Sequence, residues 1–202
     1  MVSQTFSGIA CVVFDMDGTL TVSNLDFDGI REEAGIPAGR PILEFLEEAS
    51  HPERQRAERV LNTHEGRAIR NCRLRSGVLV LLDALRQAGM KLGLLTRNSR
   101  HSVDLLLDRF SLSFDCCVTR DDAPPKPSPE PVLKIARCVG VQPSETLMVG
   151  DYKFEMQAGR AAGARTAFLE TEYHGDVQAE ADVIISDLRE LLDCLCLTLP
   201  RS

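Results

Sequence analysis

From residue 76 onward, helix-like and strand-like segments alternate, and that alternation restricts the chain to parallel βαβ units. Helical periodicity falls on 76–88, 100–110, 128–139, 154–162 and 188–197, and strand-like runs on 90–96, 114–119, 146–151, 165–169 and 181–185. Gly89, Gly140 and Gly163 each stand one residue past an apolar-periodic stretch, where a left-handed helix end is wanted. Residues 92–95 and 146–149 are mostly apolar rather than alternating, as in strands covered on both faces. Near the start, a further apolar run from Ile9 to Phe14 delivers the chain into Asp15-Met16-Asp17-Gly18-Thr19-Leu20. Residues two apart on an extended segment point the same way, so Asp15 and Asp17 crowd their charges at a strand end unless a cation, a proton or a ligand offsets them.

Between residues 21 and 75 the pattern changes to three helix-like stretches, 27–34, 42–48 and 53–72, with no convincing strand. The expected organisation is an α/β core from 1–20 and 76–202 with an all-helical insertion at 21–75. At 202 residues and 44% hydrophobic, the chain can bury one core and carry such a subdomain. A net charge of −7 argues against a nucleic-acid partner and favours cations. The seven cysteines (11, 72, 116, 117, 138, 194 and 196) contain no C-x-x-C pair and read as reduced, small apolar residues. His51, His64, His101 and His174 form no metal-ligand spacing and read as surface or incidental. With no signal-like segment and no run near the roughly 18 apolar residues of a membrane span, the expected location is the cytoplasm, away from membranes. The residues after Pro200 read as frayed.

Ligands of an open parallel sheet bind at the carboxyl ends of its strands. There the sequence places Asp15 and Asp17, then Thr96-Arg97-Asn98-Ser99, then Lys126 between two prolines, then Gly150-Asp151 with Glu155. Taken singly, Thr96 and Ser99 read as a turn and a helix cap, Lys126 as a loop lysine, and Asp151 with Glu155 as helix-start acids. Taken together, they supply a carboxylate nucleophile, a second carboxyl for proton transfer, a hydroxyl with helix-start amides, a cation and carboxylates for a metal. That set suits phosphoryl transfer. Magnesium prefers oxygen ligands, one or two of them carboxylates, and Asp15, Asp151 and Glu155 offer them.

Asp15-x-Asp17-Gly18-Thr19, the strand ending in Thr96, Lys126 before Pro127, and Gly150-Asp151 followed by Glu155 and Ala161-Ala162-Gly163 resemble the four ordered motifs of the haloacid dehalogenase (HAD) superfamily. The insertion resembles the helical cap of its phosphoglycolate phosphatase and β-phosphoglucomutase-like branch. The resemblance implies a Rossmann-like three-layer α/β core with a parallel sheet and a small helical cap after the first strand. It further implies that Asp15 attacks phosphorus, Asp17 acts as acid and then base, and Thr96, the Arg97 amide and Lys126 hold the phosphoryl group. Asp15, the Asp17 carbonyl, Asp151 and Glu155 would hold Mg²⁺, Glu155 through water or by orienting Lys126. Tyr152, Glu155 and Arg97 depart from the family's usual residues.

Retention of Asp17 and of Asp151 with Glu155 argues against a dehalogenase, and the absence of lysine from 21–75 argues against a phosphonatase. A cap of about 55 residues favours water over a sugar as acceptor, so the expected activity is a Mg²⁺-dependent phosphatase acting on a small phosphorylated metabolite, phosphoglycolate-like or a sugar phosphate. A phosphosugar mutase is the alternative, and a non-catalytic binding protein is disfavoured because Asp15, Asp17 and Lys126 are all present. Nine arginines in the insertion (31, 40, 54, 56, 59, 67, 70, 73 and 75) read mostly as a solvated face paired with Glu47, Glu48, Glu53, Glu58 and Glu65, with one or two facing the substrate.

Overall fold

The apolar run after Ile9 forms a fully buried strand that becomes the centre of the sheet. In the computed structural model, which describes residues 5–22, 25–171 and 181–197, this strand is β1 (Cys11–Phe14). It pairs in parallel with β4 (Lys91–Leu95) on one side and β6 (Thr146–Gly150) on the other, Phe14 lying opposite Leu94 and Val149. Adding β5 (Cys116–Val118), β7 (Arg165–Leu169) and β8 (Val183–Ile185), the six strands run in the order β5-β4-β1-β6-β7-β8, all parallel. The chain winds outward from β1 to β5 and then returns past β1 to build the other half. Such a reversal opens a crevice at the carboxyl ends of the central strands.

Alternation along β1 divides its side chains between two helical layers. Val12 and Phe14 pack with Leu81, Leu82 and Leu85 of α4 (Val78–Gln87), Val103 and Leu106 of α5 (Arg100–Phe110) and Leu191 of α8 (Glu190–Cys194). Cys11 and Val13 pack with Val132 and Ile135 of α6 (Glu130–Val139) and Ala158 of α7 (Lys153–Ala162). The result is the expected three-layer core. On the α6 side the layers meet over bare backbone at Gly93 in β4, where a Cβ would lie 2.7 Å from Ile135 Cγ2 and 3.0 Å from Val13 Cγ2. Overpacking at such a contact costs about 1–3 kcal/mol. Gly93→Ala is therefore expected to lower the urea midpoint by that much stability with an unchanged denaturant slope.

The insertion contains α1 (Phe27–Ala34), α2 (Ile42–Glu48) and α3 (His51–Asn71), which share their own apolar cluster of Ile30, Ala34, Ile36, Ile42, Leu46, Ala57 and Leu61. It is not all-helical. β2 (Thr21–Val22) and β3 (Arg73–Leu74) pair antiparallel where the chain leaves and rejoins the core. Two-residue strands are too short to show alternation, and their partners lie fifty residues apart, so no local pattern announces them. The third helix also starts earlier than expected. Pro52 occupies its first turn, where a missing N–H costs nothing, and the Glu53 side chain accepts the Ser50 amide at 3.1 Å.

At the chain's end, α8 is shorter than the expected 188–197 helix, because only Glu190–Cys194 is helical. The residues after Pro200, and His174, lie outside the described residues. Among the described residues no helix is long and apolar enough to cross a membrane. All seven cysteines are free thiols, Cys11, Cys72 and Cys194 being buried and Cys138 and Cys196 exposed.

Candidate active site

β1 ends by handing its pairing to Asp15, whose amide donates to the Val149 carbonyl at 2.9 Å. The chain then turns sharply. Leu20 and Thr21 donate to the Met16 carbonyl at 3.0 and 2.9 Å, while Met16 and Leu20 are themselves fully buried. Gly18 makes the turn possible, with a φ of +85°. A Cβ at Gly18 would also lie 2.1 Å from Asp151 Oδ2, so the turn and the end of β6 meet without room for a side chain. Thr19 Oγ1 donates to Asp151 Oδ1 at 3.2 Å, and Arg75 Nε donates to the Gly18 carbonyl at 3.1 Å.

The end of β4 supplies the second side. Thr96 is buried, its amide donates to the Val118 carbonyl at 3.1 Å, and its hydroxyl accepts the Asn98 amide at 3.1 Å. Asn98 Nδ2 donates to Asp17 Oδ2 at 2.6 Å, and Thr21 Oγ1 donates to Asp17 Oδ1 at 3.5 Å. Ser99 is the N-cap of α5 and accepts the Ser102 amide.

Lys126 closes the cluster from below. Its side chain is 2% exposed, and Nζ contacts Asp15 Oδ1 and lies 2.6 Å from Glu155 Oε1. The other Glu155 oxygen accepts the Tyr152 amide at 3.1 Å, so this carboxylate orients the lysine and caps the start of α7.

One buried ammonium thus faces three acids, Asp15, Glu155 and Asp151. Burial alone pulls the Lys126 ammonium down, but Asp15 and Glu155 outweigh it and hold the group above its ordinary range. Asp15 is pushed well up by burial, against the pull of Lys126 and with the help of Glu155 and Asp151. Burial and then Glu155 push Asp151 from 3.8 up to about 6. The cluster carries more negative charge than Lys126 offsets, and Asp15 and Asp151 respond by favouring protons. A hard divalent cation fits that surplus: Asp15 and Asp151 offer carboxylate oxygens from neighbouring strand ends, as magnesium requires. Among the described residues no group of three or more acidic, histidine or cysteine side chains gathers at metal-binding spacing.

A family model described as haloacid dehalogenase-like hydrolase matches residues 12–169, a span that contains Asp15, Asp17, Thr96, Lys126, Asp151 and Glu155. The chain belongs to the haloacid dehalogenase-like hydrolases. It is 35% identical over 171 residues to a haloacid dehalogenase-like hydrolase domain-containing protein of Arabidopsis thaliana, covering 79% of this chain and 70% of that protein. It is 30% identical over 214 residues to the pyrophosphatase PpaX of Anoxybacillus flavithermus, covering 94% and 98%. Among solved structures, CbbY from Rhodobacter sphaeroides in complex with phosphate shares the fold with a TM-score of 0.73 at 23% identity, covering 94% of this chain and 100% of that one.

The motif residues of this HAD hydrolase, Asp15, Asp17, Thr96, Arg97, Lys126, Asp151 and Glu155, all lie on the crevice rim where the strand order reverses. Residues given no role from sequence join them: Asn98 and Thr19, which lie within the quoted motifs, as hydrogen-bond donors to Asp17 and Asp151, and Glu44 of α2, which pairs with Arg97. Asn98 had a signal in its place two residues after Thr96. Glu44 had none, since its partner is brought to it only by tertiary folding.

The insertion's arginines only partly follow expectation. Arg40 pairs with Glu48 and Arg31 with Asp28, whereas Arg54, Arg56 and Arg75 bind backbone carbonyls. Glu65 does not serve an arginine of the insertion at all. It is buried on α3, accepts from Ser99 and Ser102 at the start of α5 at 3.1 and 2.8 Å, and pairs with Arg120 of the core at 2.5 Å.

The raised Asp151 carboxyl gives a stability prediction. Between about pH 4 and 6 the folded chain keeps a proton on Asp151 that the unfolded chain has lost, so this group costs stability as pH rises through that window. Asp151→Asn is expected to melt above the wild type at pH 7 in EDTA and level with it at pH 4. Added Mg²⁺ should reverse the order at pH 7 by stabilising the wild type alone. Melting temperatures of both proteins at the two pH values check this.

Proposed function

We propose that this HAD hydrolase is a Mg²⁺-dependent phosphatase that hydrolyses a small phosphorylated metabolite through an aspartyl-phosphate on Asp15. The observation that carries the reading is the buried Asp15–Lys126 contact beside Asp151, with Asp17 held separately by Asn98. Two acids of one motif in different surroundings can take different proton roles.

In the first step an Asp15 carboxylate oxygen attacks phosphorus while the bond from phosphorus to the leaving oxygen breaks, and Asp17 donates its proton to that oxygen. Asp17, now ionised, then accepts a proton from water as the water oxygen attacks the same phosphorus. Inorganic phosphate leaves and Asp15 is restored. Lys126, the Thr96 hydroxyl and the Arg97 amide hold the phosphoryl oxygens during both steps. Magnesium, when bound by Asp15, Asp151 and the Asp17 carbonyl, supplies positive charge against those oxygens and offsets the repulsion between the acids. Glu155 acts by orienting Lys126, because both its oxygens are engaged there and at the Tyr152 amide.

Residues 21–75 act as a cap over the core formed by 1–20 and 76–202, tied to it by Glu65 with Arg120 and by Glu44 with Arg97. Covering the site in this way limits bulk water around the reacting phosphate. The naming of PpaX as a pyrophosphatase and the complexes of CbbY with phosphate and with xylulose-1,5-bisphosphate support a phosphate-bearing small molecule as substrate. The test is release of inorganic phosphate from a panel of phosphate esters with Mg²⁺ and with EDTA. Metal-dependent release supports the reading, and no release from any ester with Mg²⁺ contradicts it.

A further inference from the structure

Arg97 stands where the strand-end loop meets the insertion, and its guanidinium is held on three sides. Nη1 donates to the Lys126 carbonyl at 3.1 Å, the group lies 5.0 Å from the centre of the Phe154 ring, and Nη2 reaches both carboxylate oxygens of Glu44 at 2.9 and 3.1 Å. The first two contacts belong to the core and fix the guanidinium beside the site. Tyr152 packs edge-on to Phe154, with ring centres 5.0 Å apart, and supports that platform. The third contact is of another kind: Glu44 lies on α2 of the insertion, and its side chain is 42% exposed.

An arginine with a fixed plane and a carboxylate on its outer edge has the form of an anion receptor filled by an internal anion. Its distance from the nucleophile is set by Lys126, whose carbonyl binds Arg97 and whose ammonium contacts Asp15. One residue therefore links the guanidinium to the nucleophile. A leaving group that carries a second anion has a cationic partner there.

We propose that Arg97 selects substrates carrying a second anionic group, a carboxylate or a further phosphate, and that Glu44 occupies this position until such a group displaces it. The assignment rests on the phosphatase reading and narrows it to doubly anionic substrates. Glu44 then also acts as a filter: a substrate without the second charge leaves the Arg97–Glu44 pair in place and gains nothing from it.

The test compares p-nitrophenyl phosphate, which has no second anion, with phosphoglycolate and pyrophosphate, which carry a carboxylate and a phosphate. Wild type, Arg97→Ala, Arg97→Lys and Glu44→Gln are assayed on all three. Arg97→Ala is expected to lower kcat/KM for at least one doubly anionic substrate tenfold or more beyond its effect on p-nitrophenyl phosphate, mainly through KM, and Arg97→Lys should recover part of that loss. Glu44→Gln should raise kcat/KM for the same substrate several-fold relative to p-nitrophenyl phosphate. Equal effects on all three substrates would mean that the pair only braces the insertion and would overturn the proposal. If neither these three nor the wider ester panel is hydrolysed, the phosphatase reading has failed, and Arg97 is then judged by calorimetric titration with phosphoglycolate. A Kd unaffected by Arg97→Ala overturns the assignment, and one weakened tenfold upholds it without the hydrolysis.

Discussion

Asp15→Asn is expected to reduce metal-dependent phosphate release by at least about a thousandfold, because an amide cannot form the covalent phosphoryl intermediate. The same change should leave the chain folded and, without metal, no less stable than the wild type. Asp15 is one of three acids around a single ammonium, and burial with its acidic neighbours already drives it toward its protonated form. Removing its charge relieves that repulsion while Lys126 keeps Glu155 at 2.6 Å. Loss of turnover with an unchanged or higher urea midpoint would separate chemistry from folding. A variant that is inactive because it unfolds would not support the nucleophile assignment.

Lys126→Ala is expected to have a different profile, losing stability as well as activity. The substitution leaves Asp15 and Glu155 buried without their cation, and breaking a buried pair by removing one partner costs about 3–5 kcal/mol. Asp15 can lower that cost by taking up a proton, so the deficit should shrink as pH falls from 7 toward 5. Added Mg²⁺ should recover part of the stability at pH 7, because a second cation serves the same carboxylates. It should not recover activity, since the phosphoryl oxygens still lack the ammonium. Urea titrations at the two pH values, with and without Mg²⁺, check both halves of this expectation.

The contrast between these two residues also shows what could be read from sequence. The strand before Asp15, the apolar β4 and β6, and the glycines that end helices all express local rules, and α1, α2, α5 and β7 fall on the expected residues. The left-handed Gly89, Gly140 and Gly163 are where chain punctuation puts them. Strand order then follows from parallel winding, which carries the four motifs to one rim. What escaped is non-local. Thr21–Val22 pairs with Arg73–Leu74 across the whole insertion. Glu65 looked like one more acid on a solvated helix, but docking of α3 against α5 buries it on Ser99, Ser102 and Arg120. Glu155 illustrates the same limit within a motif: the resemblance allowed a metal ligand or a lysine orienter, and the 2.6 Å contact to Lys126 favours the second.

The central claim is that Asp15 carries the phosphoryl group, and the most direct measurement is to catch it there. In Asp17→Asn the acid–base group is absent, while p-nitrophenolate leaves readily without a proton. Mixing this variant with p-nitrophenyl phosphate and Mg²⁺ should give a burst of about one p-nitrophenolate per active chain followed by slow turnover. Acid quenching and peptide mass spectrometry should then find a phosphoryl group on Asp15. Steady turnover without a burst, or a phosphoryl group on any other residue, would contradict the account.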